Sequence, residues 1–339
     1  MKSALLTAPQ TIEIVEGQPL IPQPHEAVIT VETAGVCGTD LALFSGDYPV
    51  PLPLVCGHEF AGTVKSVGDQ VDERWIGKRV VAEINNTCLA YGKPTPCKAC
   101  ERGMPSHCLE RSVTGIIGHD GAFAEEVRVA GGTLHEIPKS VDSITATLAE
   151  PLAAAFQTFE MTPVKENETV AVIGPGRLGI LIVFIAALKG GQVVAVSRSE
   201  GRRKRAIDYG AKHAVSPDEA DQSIKDLTGG LGADFVIDAT GTPDGINQAQ
   251  QLVRPRGTIG VKTTCGLPER GLDMTKLVVD EVCMQGSRCG PFPPALKLLE
   301  EHRNTLEKLI SSVHPLDSAQ SAIESATREN KVVLKICSI

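Results

Sequence analysis

No apolar run in the 339-residue chain is long enough to span a bilayer. The longest, residues 180–188, is less than half of the roughly 20 residues that a spanning helix requires. The opening stretch MKSALLTAPQTIEIVEG likewise lacks the apolar centre of a secretory signal, so a cytoplasmic location is the expectation. There is no excess of positive charge: 33 Lys and Arg stand against 41 Asp and Glu, a formal net charge of −8. That balance argues against a nucleic-acid surface and for good solubility. Internal repeats and low-complexity tracts are also missing, which removes solenoid and tail-like architectures. What remains is an ordinary globular composition, 42% hydrophobic and 22% charged, in a chain long enough for two full cores.

The most informative stretch is VIGPGRLGILIVFIAALKGGQVVAVSR, residues 172–198. An apolar strand-like run turns through Gly174, Gly176 and Gly179, continues as an apolar helix, and ends in a second strand-like run at 192–196. This spacing fits a dinucleotide-binding turn. The first glycine makes the bend, the second lets backbone approach a pyrophosphate, and the third lets helix pack on strand. The phosphates rest on outward-pointing N–H groups at the helix start. Arg177 and Leu178 within the turn, and Thr240 after the strand at 235–238, complete the expected cofactor contacts. Units that bind NAD usually place a carboxylate at the end of the second strand. Here the chain reads Ser197-Arg198, followed by Arg202 and Arg203. Without a carboxylate to repel a 2′-phosphate, and with Arg198 offering a planar fork of donors, NADP is preferred over NAD.

Up to residue 139 the pattern is of short β-type runs (27–32, 61–67, 79–82, 123–129) punctuated by Gly and Pro, which predicts a β-rich, partly barrel-like domain without a long helix before about 142. An alanine-rich helix is predicted at 144–159. Strands and helices then alternate (helices at 202–209, 219–227 and 245–252, a strand at 258–261), the pattern of a doubly wound parallel sheet. The helix at 294–307 and strand at 332–335 read as a return to the first domain. The predicted boundaries are thus 1–150, 151–288 and 289–339.

Cysteine and histidine fall into two groups. Cys88, Cys97, Cys100 and Cys108, inside a lobe at about 85–110, have the spacing of a closed four-thiolate structural zinc site, with two disulfides as the alternative. Cys37 in Gly35-Val36-Cys37-Gly38-Thr39-Asp40, His58 in Gly57-His58-Glu59 and the carboxylate of Glu59 or Glu150 supply the donor types of an open catalytic zinc site. Cys265, Cys283, Cys289 and Cys337 are scattered and read as packing residues.

These motifs, with Asp-Gly-Ala-Phe-Ala-Glu at 120–125, Ala-Glu-Pro-Leu-Ala at 149–153 and Val-Arg-Pro-Arg-Gly-Thr at 253–258, resemble those of the zinc-dependent alcohol dehydrogenases of the medium-chain dehydrogenase/reductase superfamily. The likeness runs along nearly the whole chain, and Glu-Pro-Leu at 150–152 is closest to the polyol, sugar and threonine dehydrogenase branch. The resemblance implies a GroES-like catalytic domain around an inserted Rossmann domain. It implies Cys37, His58 and Glu150 as catalytic zinc ligands, Glu59 as a carboxylate that enters or leaves the coordination sphere, Thr39 as a proton-relay hydroxyl, and a homodimer or homotetramer. Two features depart from the family pattern. Eight residues separate Cys88 from Cys97 where two are usual, and Ala42 stands where many relatives carry a relay histidine. The expected reaction is hydride transfer between NADP(H) and an alcohol or polyol, or the matching aldehyde or ketone. NAD-linked polyol or threonine-type oxidation, a zinc-free quinone or enoyl reductase and a non-catalytic cofactor-binding protein are the competing readings. Phe44, Tyr48, Phe156 and Arg288 are candidate pocket residues.

Overall fold

The β-type runs of the first 140 residues pair mainly into antiparallel ladders. The computed structural model describes residues 1–262 and 272–337; Cys265 lies outside them. The chain divides into two units, one comprising Met1–Glu150 and the chain from Phe292 onward, the other Pro151–Pro291.

The first unit is built on a seven-stranded sheet whose main path runs Leu134–Glu136, Arg79–Ala82, Glu59–Val67, Glu26–Gly35, Lys331–Lys335 and Ile310–Pro315, with Glu126–Ala130 also paired to Glu26–Gly35. Glu26–Gly35 is the buried spine of this sheet, and Ala27, Val28, Ile29, Val31 and Ala34 are fully covered. One register detail positions the chemistry. Gly35 lies opposite Glu59 in the antiparallel pair, so the residue two beyond one strand, Cys37, and the residue just before the other, His58, emerge at the same end. Gly57 makes the turn into that second strand at φ 93°, a left-handed conformation that favours glycine, and a Cβ there would run into the Phe123 ring.

The second unit is a six-stranded parallel sheet in the order His213–Val215, Gln192–Val196, Thr169–Ile173, Ala233–Asp238, Val253–Val261 and Cys283–Gly286. The chain starts in the middle, winds to one edge, then crosses back and winds to the other. The strand order therefore reverses between Thr169–Ile173 and Ala233–Asp238, which is where a doubly wound sheet opens its ligand crevice. Thr169–Ile173 is buried throughout, as a central strand covered on both faces must be. The helix predicted at 144–159 is instead two pieces, Ser143–Ala146 and Ala149–Met161. Pro151 explains the break, since its ring clashes with the carbonyl four residues back and fits only a first turn. Among the described residues no helix is long and apolar enough to cross a membrane.

Candidate metal and cofactor sites

Cys37 caps the short helix Gly38–Ser45. Asp40, at the third position of that helix and fully buried, accepts from the Cys37 N–H at 2.8 Å and from the Gly57 N–H at 3.2 Å, and its Oδ1 is 3.6 Å from His58 Nδ1. One carboxylate thus ties together the segments that carry Cys37 and His58. In the sequence Asp40 stands within the Cys37 motif without an assigned role. The available signal was an acid three residues after a helix cap, a pairing that returns a hydrogen bond to the cap backbone.

Ligand atoms of Cys37, His58 and Glu59 all lie within 4.8 Å of one another. Burial alone would raise the Cys37 thiol, but the His58 charge and hydrogen bond outweigh it and hold the thiol below its ordinary value. Burial alone would lower the His58 imidazole, whereas the charges of Asp40 and Cys37 lift it well above the usual range. Each group thus favours the charged form of the other. A divalent cation at such a donor set displaces protons, so metal affinity rises with pH. Thr39 Oγ1 stands 3.9 Å from Cys37 Sγ. Glu150 lies outside the trio, and its charge acts on Cys37. Cys56, which sequence reading passed over, is buried beside Asp40 and His58, and burial pushes its thiol up.

Glu59 has a partner that sequence gave no sign of. Its Oε2 meets Nζ of Lys331, at the start of the last strand; both side chains are buried. Gly35 makes room, because a Cβ there would sit 2.8 Å from the Glu59 carboxylate and from Lys331 Nζ. Removing one member of a buried pair strands the other charge at a cost of about 3–5 kcal/mol. Lys331→Met is therefore expected to lose that much stability in urea denaturation, and the double change Lys331→Met with Glu59→Gln to recover much of it. Equal losses in the single and double variants would show that the pair has no such role.

The four clustered cysteines also converge. Their sulfur atoms lie within 4.8 Å of one another, and all four are free thiols. Cys97 Sγ and Cys108 Sγ are 3.7 Å apart, far beyond the ~2.05 Å of a disulfide and close to the ~3.8 Å edge of a tetrahedron with ~2.3 Å zinc–sulfur bonds. Backbone N–H groups of Cys88, Cys97 and Leu109 point at sulfur atoms of Cys108, Cys88 and Cys97, at 3.3–3.4 Å. Backbone N–H groups of Cys100 and Leu109 bring the Cys97 thiol down to about 6. The nine-residue step from Cys88 to Cys97 closes without difficulty, since loop entropy grows slowly with length. Of the scattered cysteines, Cys283 is exposed, and Cys289 and Cys337 are half-buried.

In the second unit Gly174 turns at φ 81°, and its N–H reaches the Val196 carbonyl at 3.0 Å. A side chain at Gly179 would collide with the Gly174 carbonyl, so the helix Gly179–Leu188 sits close on the strand only because that residue is glycine. Above Gly176 the space is open. The nearest atoms to a Cβ built there, Arg202 Nη1 and the Gly174 carbonyl oxygen, are each 4.0 Å away. That opening fits a pyrophosphate, with the Arg202 guanidinium overhanging it. Ser197 is buried and its Oγ accepts from Ser199 N–H at 3.3 Å; Arg198 is exposed at the strand end. Arg203 donates to the Ser197 and Arg198 carbonyls at 2.8 and 3.1 Å and so fixes the turn that presents Arg198. Arg177 and Leu178 are half-buried in the turn. Thr240 is held by Asp238, whose Oδ1 accepts from its N–H and hydroxyl at 2.9 and 2.7 Å. Phe44 and Phe156 are half-buried; Tyr48 and Arg288 are exposed.

A unit with a dinucleotide-type turn and a unit with a buried thiolate, imidazole and carboxylate together define a metal-dependent dehydrogenase. Residues 23–139 match the alcohol dehydrogenase GroES-like domain, and residues 178–301 match the zinc-binding dehydrogenase family. The chain is 32% identical to a sorbitol dehydrogenase of Halalkalibacterium halodurans over 90% of each chain. Among solved structures, a zinc-binding dehydrogenase of Sinorhizobium meliloti 1021 bound to NADP is similar at 28% identity and a TM-score of 0.89, covering 98% of both chains. An alcohol dehydrogenase of Escherichia coli CFT073 complexed with NADH is similar at 26% identity and 0.89, covering 99% of both. The chain belongs to the zinc-binding alcohol dehydrogenase family and is an oxidoreductase acting on CH–OH donors.

Proposed function

We propose that the protein transfers hydride between NADP(H) and a small alcohol or polyol, or the matching aldehyde or ketone, at a catalytic zinc held by Cys37, His58 and a carboxylate from Glu59 or Glu150, while Cys88, Cys97, Cys100 and Cys108 hold a second, structural zinc. The convergence of Cys37, His58 and Glu59 carries this reading. Zinc bound there supplies Lewis acidity toward the substrate oxygen, and the nicotinamide supplies the redox chemistry. The chain's own residues do the rest. Asp40 fixes the angle at which Cys37 and His58 present their donor atoms, in the manner of an outer carboxylate that orients a ligating imidazole. Thr39, whose hydroxyl lies beside Cys37, takes the alcohol proton in this reading. Ala42 carries no titratable group, so the proton path beyond Thr39 runs through the cofactor ribose or solvent.

The cofactor preference rests on Ser197, Arg198 and Arg202, where a carboxylate would mark an NAD site. A charge-assisted contact to a phosphate contributes about 1.5–3 kcal/mol. Arg198→Ala is therefore expected to raise the Michaelis constant for NADP by about tenfold or more while leaving that for NAD within about twofold. Equal effects on both favour the NAD-linked polyol or threonine-type reading. A panel of alcohols, polyols and aldehydes assayed with each cofactor identifies the substrate class. The homo-oligomer and the cytoplasmic location expected from sequence belong to this same reading.

A further inference from the structure

The short turn 197–199, between the strand Gln192–Val196 and the helix Glu200–Asp208, is held through its backbone. The Ser197 N–H donates to the Val215 carbonyl at 3.0 Å, which ties the turn to the neighbouring strand His213–Val215. The Ser199 N–H donates to Ser197 Oγ at 3.3 Å, and Ser199 Oγ caps the helix by accepting from the Arg202 N–H at 3.4 Å. Both remaining carbonyls go to one nitrogen: Arg203 Nη1 donates to those of Ser197 and Arg198. Arg203 is half-buried, whereas Arg198 and Lys204 are exposed. On its far side Arg203 faces Glu219, in the first turn of the helix Pro217–Thr228. Hydrogen bonds from Ser216 hold the Glu219 carboxyl below its ordinary value, and the Arg203 charge adds to their effect.

This arrangement bears on how the turn meets an anion. In a trans peptide the carbonyl and the following N–H point in opposite directions, so drawing the Ser197 carbonyl onto Arg203 turns the Arg198 N–H away from it. The same contact occupies two carbonyl oxygens, which accept hydrogen bonds only and would repel a phosphate. Fixing one residue's backbone in a single conformation costs a factor of roughly 5 to 30 in an equilibrium constant. A turn fixed before binding spares the ligand that cost. The 2′-phosphate is the group that engages Arg198 in the cofactor reading above, and NADH lacks it.

We propose that Arg203 is a positioning residue for cofactor choice: by clamping the Ser197 and Arg198 carbonyls it holds Arg198 ready for the 2′-phosphate, and it sets the preference for NADPH over NADH through Arg198. The inference rests on the NADP reading of the second unit and deepens it. Dissociation constants for NADPH and NADH, measured by nucleotide fluorescence on the zinc-loaded protein without substrate, test it. The ratio of the NADH to the NADPH constant is expected to fall about tenfold in Arg203→Ala and in Arg203→Met, with the NADH constant itself within about threefold of its original value. The methionine variant keeps the apolar stem and serves if the alanine variant does not fold. Lys204→Ala removes an adjacent exposed charge and is expected to leave the ratio within about twofold. In an Arg198→Ala background, adding Arg203→Ala is expected to change the ratio by less than about twofold, since a residue that acts through Arg198 then has nothing to position. A tenfold fall that persists in that background, or an equal fall in Lys204→Ala, would overturn the proposal and make Arg203 a direct or long-range charge. Parallel weakening of both dinucleotides, with the ratio unchanged, would overturn it too and leave Arg203 a tie within the turn. An unmodified protein that binds NADH as tightly as NADPH would overturn the NADP reading itself, and the proposal with it.

Discussion

Cys37→Ser is expected to lower kcat/KM by a factor on the order of a thousand or more while leaving dinucleotide binding unchanged. Lewis-acid stabilisation of a developing oxyanion is worth several kcal/mol, and each 1.36 kcal/mol is a factor of ten in rate. A serine hydroxyl cannot stand in for the thiolate. The thiol of Cys37 is held low by His58, and a hydroxyl in the same place stays protonated and leaves His58 and one carboxylate to bind the ion with two donors. Dinucleotide binding is spared because Gly174, Gly176, Gly179 and Arg202 belong to the other unit. Steady-state kinetics with a responsive substrate, paired with NADPH fluorescence titration, separates the two effects. A Cys37→Ser protein with full turnover would remove the metal from the chemistry. Cys283→Ser, which changes an exposed thiol in the other unit, provides the control and is expected to behave as the unmodified protein.

The second large effect concerns stability. Cys100→Ser is expected to release zinc from the four-cysteine lobe, open the loop between Cys88 and Cys108 to proteolysis, and lower stability by several kcal/mol. Structural zinc in small domains contributes on the order of 10 kcal/mol of folding free energy. A lobe whose two ends pair as Asn85–Asn86 with Ser112–Val113, and which is tied to the rest of its unit by backbone hydrogen bonds such as Gly132 N–H to the Ala90 carbonyl, retains part of its order without the ion, so the loss is smaller here. Among buried residues the lobe core consists of Cys88, Cys100 and Cys108, with Cys97 packed against it, leaving little apolar packing to replace the metal. Zinc content, limited proteolysis and denaturant unfolding should change together. A variant that loses the ion yet keeps protease resistance and its unfolding midpoint would show that the thiols are only packing.

The second unit was the more legible of the two, because its strands and helices are local in sequence and the glycines report directly on the backbone. Gly174, with its positive φ, and Gly179, pressed against Gly174, do what their spacing implies. Pattern alone did not find the edge strand Cys283–Gly286 or the helix Met274–Val279 before it, which are short and largely exposed. The helix Gly38–Ser45 escaped for a related reason: eight residues are too few to show helical periodicity.

In the first unit the donor residues could be named from motifs, but their geometry depends on contacts between distant parts of the chain. The pairing of Gly35 with Glu59 brings Cys37 to His58, and a strand 272 residues downstream delivers Lys331 to Glu59. Nothing near Lys331 in the sequence announces a site. Asp40 was within reach, three residues after Cys37, yet its hold on Gly57 requires the turn that only the folded sheet supplies. Arg203 was hidden differently. It resembles its neighbours Lys204 and Arg205 in sequence, and only its bonds to the Ser197 and Arg198 carbonyls set it apart.

The most direct test is anomalous diffraction at the zinc edge from crystals of the zinc-loaded protein grown with NADPH. One peak is expected bonded to Cys37 Sγ at about 2.3 Å and to a His58 ring nitrogen at about 2.0–2.1 Å, with a second peak among Cys88, Cys97, Cys100 and Cys108. A map with density among the four cysteines and none between Cys37 and His58, or with the dinucleotide bound away from the Gly174 turn, would contradict the assignment of a metal-assisted hydride transfer to this chain.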